Sequence, residues 1–498
     1  MPKRFLSFAI VLALCSAVPL FAGSGPVRLA ADGEDQVYPV MDRAAQRAEL
    51  HRSIVQRESA RGLAAALEVK LSEAEKAEAR TQVEGVRLRV GIDKPLAKFG
   101  SWTKFGAREV GADGSIVWTA SIKAAGASGL RLHISPFDIP ESAELYAYSA
   151  DGQAHGPYIG RGPVDDGELW TNTIFGDEVR LQLRVAAEDV AQTRLVVRSV
   201  GYLGDGLPMA TNAFCSFNES CVVNAGCVSV SAVTNARDAV AHMLFPSSGG
   251  YFICTGGLIA DSDTASTVPY FLTANHCISR STEASGLETY FDHETTCSNP
   301  DCTDPYPWPT GTRNPDTLGA QLVAGNSAGD YTLLRLSSAP ATDDGVVRYL
   351  GWSSTAVANT NGASLHRISH PSGAPQAYSA HSVSTSAVTC RSLPRGQFIY
   401  SRDTQGATEG GSSGSPVLNG SGQIVGQLYG SCGFNIGDVC DAASNATVDG
   451  AFASYFNEVS GILGGGGSQC DPAGASCSAN SECCSGNCKG KPGAKTCK

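Results

Sequence analysis

The chain has 498 residues, a formal net charge of −11 and only 17% charged residues, with 56 glycines. That length excludes a single ordinary domain and suits several, and the acidic balance excludes the basic surface that nucleic acid requires. Abundant glycine, with Ser, Thr and Val frequent downstream of residue 82, favours short strands and tight turns over helical bundles.

Residues 1–22 read as a secretory signal. Lys3 and Arg4 form a positive start, Phe5 to Leu14 is an apolar run, and small residues around Ala22 and Gly23 offer a cleavage zone. The run is short for a membrane span, and Leu14 ahead of Cys15 is a poor residue for a lipid-attachment site. No later segment is apolar for long enough to span a membrane, so the expectation is a secreted, extracellular chain without stable membrane insertion, and a monomer.

Residues 23–83 form the next unit. The stretch 42–80, rich in Ala, Glu, Arg and Leu and free of proline, predicts one or two helices with Gly62 as a break. Over 84–205 the texture changes to alternation, as in Val86-Arg87-Leu88-Arg89-Val90 and Val179-Arg180-Leu181-Gln182-Leu183, punctuated by Asp113-Gly114 and Asp151-Gly152. This predicts a β-sandwich with no cysteine and no cluster of catalytic residue types.

The block 213–463 carries the chemistry. Gly410-Gly411-Ser412-Ser413-Gly414-Ser415-Pro416 precedes an apolar strand. A serine hydroxyl is a weak nucleophile until a base takes its proton and donors await the oxyanion, and flanking glycines let the backbone turn its N–H groups toward one point. Gly410-x-Ser412-x-Gly414 also fits the nucleophile elbow of α/β-hydrolases, which needs a histidine downstream; the last histidine is His381, upstream, so that frame fails. With Ser413 as nucleophile the order becomes His, Asp, Ser. His276 follows the strand-like Tyr270-Phe271-Leu272-Thr273-Ala274, and Asp330 opens Tyr331-Thr332-Leu333-Leu334-Arg335-Leu336. Asp343 and Asp344 are rival carboxylates in a polar turn. His366 and His370 have the spacing of helical zinc ligands, but Pro371 ends any helix and no glutamate follows His366. No metal or other cofactor is expected.

These motifs resemble the trypsin-like serine peptidases, in particular the secreted bacterial lysyl endopeptidase branch. The carriers are Thr273-Ala274-Asn275-His276-Cys277, Asp330-Tyr331-Thr332-Leu333-Leu334 and Gly411-Ser412-Ser413-Gly414-Ser415-Pro416, supported by Cys254-Thr255-Gly256-Gly257-Leu258 and Gly426-Gln427-Leu428-Tyr429-Gly430. The resemblance implies a mostly β fold with two six-stranded, chymotrypsin-like β-barrels, preceded by the helical segment and the β-sandwich. It implies His276 as general base, Asp330 as its orienting carboxylate and Ser413 as nucleophile. The N–H groups of Gly411 and Ser413 would form the oxyanion hole, and Thr408, Leu428, Tyr429 and Gly430 would line the path of a protein or peptide substrate. Ser412 stands where animal trypsins carry an aspartate that receives the new N-terminus. Lysine-specific relatives place a carboxylate just ahead of the strand here represented by Gly450-Ala451-Phe452-Ala453. Asp449 adjoins it out of register and Ala407 is not acidic, so no lysine preference is assigned.

Of 17 cysteines, one lies in the signal and the rest follow residue 214, an even number that reads as disulfides in an oxidising compartment. The resemblance implies Cys254–Cys277, Cys221–Cys297 and Cys215–Cys432, leaving Cys227, Cys302, Cys390 and Cys440 unassigned. After a Gly-rich linker at 464–469, the module 470–498 is too small to bury a core and needs covalent staples. Its spacing resembles cystine-knot miniproteins, implying Cys470–Cys484, Cys477–Cys488 and Cys483–Cys497, although spacing alone leaves every pairing open. Adhesion to an insoluble substrate or polysaccharide is the expected role of that module. The resemblance also implies that about 24–210 is a propeptide; a permanent β-domain is the alternative. For the whole chain, a catalytically silent protease-like binding protein and an esterase on the same scaffold are the competing functions.

Overall fold

The computed structural model describes residues 27–28, 34–37, 43–58, 64–79, 87–96, 101–111, 113–204, 215, 217–234, 236–263, 266, 268–298, 302, 316–340, 345–464, 488–491 and 494–497. The signal segment, the rival carboxylates Asp343 and Asp344 and the three pairings expected in the C-terminal module lie outside them. Of that module, an antiparallel pair of strands, Cys488–Lys491 and Ala494–Cys497, is described.

The helical expectation resolves into Arg43–Val55 and Glu73–Glu78. Ser72 caps the second in a capping box with Glu75. The first lays Leu50 and Ile54 against Tyr146, Tyr148 and Ala154 of the sandwich. In the sandwich, Ile116–Lys123 and Glu178–Val185 pair along their whole length in one sheet, and Gly129–Asp138 with Arg194–Leu203 form the heart of the other. Trp102, Trp118, Leu132, Leu181 and Val197 are among the residues buried in its core. Alternation in the sequence announced Glu178–Val185, whose Val179, Leu181, Leu183 and Val185 are all buried in that core.

Among the described residues the C-terminal half is mostly β, with short helical segments such as Ser231–Thr234 and Ser281–Ala284 and the closing helix Phe452–Leu463. Its second part is a closed six-strand barrel in which Ser364–Ser369, Ala377–Val383, Phe398–Gln405, Asn445–Ala451, Ile424–Gly433 and Pro416–Leu418 pair in a ring. Its first part is a curled half-barrel built on Val240–Ser247, Gly250–Leu258, Tyr270–Ala274, Ala320–Asn326 and Tyr331–Leu336. The long strand Gly250–Leu258 divides its pairing. Its second half joins Tyr270–Ala274, whereas Gly250–Ile253 pairs with Leu88–Ile92 of the upstream sandwich. One continuous sheet therefore runs from the sandwich into the C-terminal half, a connection that local patterning did not show. Glu288, fully buried, seals the junction: its carboxylate accepts from Asn172 Nδ2 (3.0 Å), Thr173 N (2.8 Å) and Thr173 Oγ1 (2.6 Å).

Five disulfides among the described residues tie the C-terminal half. Cys254–Cys277 forms as expected, with Cα atoms 6.3 Å apart. The other two expected bridges are corrected. Cys221 pairs with Cys440 and Cys297 with Cys227, while Cys215 pairs with Cys302 and Cys432 with Cys390. A bridge needs Cα atoms within roughly 4.4–6.8 Å, and which loops approach that closely is a property of the assembled barrels. Cys432, for example, sits with Ala387, Leu393, Phe398 and Tyr400 in a small core, and its neighbour there is Cys390. No helix among the described residues is long and apolar enough to cross a membrane.

Candidate active site

Of the three residues singled out by sequence, His276 and Asp330 are in direct contact, and Ser413 lines the same cleft as His276 at the seam between the two parts of the C-terminal half. His276 follows Tyr270–Ala274, a strand paired residue for residue with Tyr331–Leu336, so Ala274 lies opposite Tyr331 and the histidine beside Asp330. The carboxylate of Asp330 grips it twice, accepting from the His276 backbone N–H (2.9 Å) through one oxygen and contacting Nδ1 (2.8 Å) through the other. The second contact fixes the ring and favours the proton on Nδ1, which leaves Nε2 able to accept one. Asp330 adopts a left-handed backbone (φ 50), a conformation that persists only when surroundings over-determine it. They do so here: its carbonyl accepts from Asn275 N (3.0 Å) and from Gln427 Nε2 (2.9 Å). Tyr455 in turn donates to Gln427 Oε1 and stacks on Tyr331 with ring centroids 4.0 Å apart. Gln427 and Tyr455 are site-shaping residues that sequence reasoning missed. Gln427 stood inside a quoted motif, but nothing local reveals what its amide reaches.

Ser413 lines the same cleft as His276. Gly411, at φ +97, would bring a Cβ within 2.8 Å of the His370 carbonyl, and Gly414, at φ +81, would bring one within 2.2 Å of Thr273 Oγ1. Only glycine permits this turn. Thr255 binds the turn to the first part, donating Oγ1–H to Gly411 O (2.8 Å) and N–H to Ser413 O (2.8 Å). The carbonyl of Gly410 accepts Ser372 N–H (2.6 Å) and that of Ser412 accepts Ser415 N–H (3.1 Å). In a trans peptide N–H points opposite to C=O, so the N–H groups of Gly411 and Ser413 are both turned away from those partners.

His276, Ser413, Thr408, Leu428, Tyr429 and Gly430 share the wall of one cleft of ≈ 610 Å³. The expected substrate-lining residues are thus brought together with the expected catalytic ones. Tyr429 meets the imidazole edge-on with centroids 5.6 Å apart, and burial pushes its phenol pKa up. The strand register is irregular between Leu428 and Gly430, so this edge is locally re-aimed. Leu88 of the upstream strand lies on the same wall. Asp449 is not offered to the cleft: it is fully buried and paired with the fully buried Arg367. His366 and His370 belong to a strand and its exit, where they contact Tyr378 Oη (2.9 Å) and Ala374 O (2.9 Å). Among the described residues no group of His, Cys, Asp and Glu could hold a metal ion.

A closed barrel beside a half-barrel, with a braced His–Asp pair and a glycine-turned serine on the cleft at their seam, is the fold of a chymotrypsin-like peptidase. Residues 216–443 match the family described as lysyl endopeptidase, C-terminal domain. The lysyl endopeptidase of Pseudomonas aeruginosa is 32% identical over 361 residues, covering 68% of this chain and 72% of that protein. The chain belongs to the lysyl endopeptidase family. A secreted RxLR effector protein of Plasmopara viticola is 28% identical over 319 residues, 60% of this chain and 74% of the effector. A solved M. tuberculosis protease in its active form superimposes with a TM-score of 0.32 at 14% identity, covering 54% of this chain and 96% of that one.

Proposed function

We propose that the protein is a secreted serine endopeptidase working through an acyl-enzyme. Ser413 attacks the scissile carbonyl while His276 takes its proton and later returns it to the leaving amine. Asp330 holds the ring and stabilises the imidazolium, and the N–H groups of Gly411 and Ser413 receive the oxyanion. The observation that carries this reading is the double grip of Asp330 on His276 on the same cleft as Ser413. Fluorophosphonate labelling tests it. Modification of Ser413 in the wild type, lost in Ser413→Ala together with peptide hydrolysis, is expected; hydrolysis that survives the substitution refutes it.

The chain is made as a pre-pro-enzyme in this reading, with residues 1–22 as signal and about 24–210 as propeptide. Leu88 on the cleft wall and the sheet shared with Gly250–Ile253 support it, because the upstream half then covers ground a substrate must use. N-terminal sequencing of the secreted enzyme decides the matter; a mature start near residue 24 excludes a propeptide. The C-terminal module is assigned adhesion to an insoluble substrate or polysaccharide, which co-sedimentation of the enzyme with and without residues 464–498 measures.

A further inference from the structure

One carboxylate outside the triad connects the nucleophile loop to the segment that opens the peptidase half. Glu409 immediately precedes Gly410 and Gly411. One of its oxygens accepts the backbone N–H of Glu219 (2.6 Å). The other accepts the Asn218 amide (2.8 Å) and the Ser372 hydroxyl (2.8 Å). The same Asn218 amide also reaches the Pro371 carbonyl (3.1 Å), and Asn218 is buried. Disulfides Cys215–Cys302 and Cys221–Cys440 fasten the chain on both sides of these two residues. The anchor is therefore rigid. Although Glu409 borders the cleft, both its oxygens already accept from donors of the chain.

Ser372 completes the connection. It holds a left-handed backbone (φ 54, ψ 22), a conformation unfavourable to a non-glycine residue unless its surroundings hold it. Its hydroxyl is held by Glu409, while its N–H donates to Gly410 O (2.6 Å). Holding the Gly410 carbonyl toward Ser372 fixes the plane of the Gly410–Gly411 peptide, and with it the direction of the Gly411 N–H. Preorganised donors of this kind lower the barrier because they need no reorientation when the oxyanion forms.

We infer that Glu409 is a positioning residue for the oxyanion hole, acting through Ser372 and the clamp on Asn218 and Glu219. This rests on the serine-peptidase reading above. The carboxylate comes from the loop itself and its partners are an internal backbone amide and two side chains, so the hole is set without a newly freed α-amino group. Burial raises the pKa of Glu409 against the opposing pull of its three donors, as expected of a carboxylate committed to an interior post.

The test compares wild type with Glu409→Gln and Ser372→Ala in the enzyme as secreted. The readouts are kcat and KM on a peptide amide, and inhibition by a peptide aldehyde and by a reduced-amide isostere of the same sequence. The aldehyde forms a tetrahedral oxyanion, whereas the isostere has no carbonyl at that position. Glu409→Gln is expected to lower kcat about 10- to 100-fold with KM within about threefold, and to weaken the aldehyde by the same factor. Ser372→Ala should do the same to a smaller degree, and neither change should alter isostere binding. Unchanged kcat and aldehyde affinity, or a loss confined to KM, overturns the inference. A wild-type enzyme whose Ser413 takes no fluorophosphonate sinks the serine-peptidase reading itself. Normal wild-type labelling with a Glu409→Gln variant of equal kcat sinks the positioning role alone.

Discussion

Replacing Asp330 by asparagine isolates what the aspartate does for the imidazole, because the change keeps shape and removes one acceptor. At present one oxygen takes the His276 backbone N–H and the other faces Nδ1. An asparagine can keep only one of those acceptances. Satisfying the buried backbone donor, whose loss costs about 1–3 kcal/mol, sends the NH₂ toward Nδ1. The ring must then accept there, which puts its proton on Nε2, the atom that should receive the Ser413 proton. The base is lost by tautomer while the fold is retained. A fall of about 10⁴-fold in kcat follows, equivalent to about 5 kcal/mol of transition-state stabilisation at roughly 1.36 kcal/mol per tenfold. Steady-state kinetics on a chromogenic peptide amide, with a thermal melt to verify folding, measures it. A variant that folds and retains kcat within tenfold of wild type refutes the tautomer argument.

Gly414→Ala forces a Cβ to 2.2 Å from Thr273 Oγ1 and 2.5 Å from Thr255 O at φ +81; a loss of at least about 1–3 kcal/mol in denaturant midpoints is expected, with activity falling alongside. Exchanging both Cys254 and Cys277 for serine opens a bridge of sequence separation 23 and should cost about 3 kcal/mol of stability, read as a lower melting temperature. His155 is buried and its pKa is pushed down to about 3 by loss of solvation. The unfolded chain therefore binds a proton that the folded chain refuses once the pH drops below about 6.5. Stability of the uncut chain should fall on acidification from 6.5 toward 3, and His155→Gln should flatten that slope in urea titrations at several pH values.

The recognisable motifs share a property: their signal is local. His276 announces itself by the strand before it, Asp330 by the strand it opens, and Ser413 by glycines whose positive φ and close neighbours leave no room for a Cβ. The sandwich strands were legible for the same reason, since alternation records which face is buried within a few residues. The disulfides were not. Cys221 finds Cys440 across a separation of 219 residues, and nothing near either cysteine encodes the approach of those loops.

The shared sheet between Leu88–Ile92 and Gly250–Ile253 belongs with the disulfides, as do the braces from Gln427 and Tyr455 behind Asp330 and the clamp of Glu409 on Asn218 and Glu219. The sequence by itself pointed to the candidate groups His276, Asp330 and Ser413, because a nucleophile, a base and an orienting carboxylate would each demand a particular side chain in a particular short backbone setting. Only the tertiary structure decided how those groups are held, because bracing joins atoms far apart along the chain, and their meeting depends on how whole barrels pack rather than on any neighbouring residue.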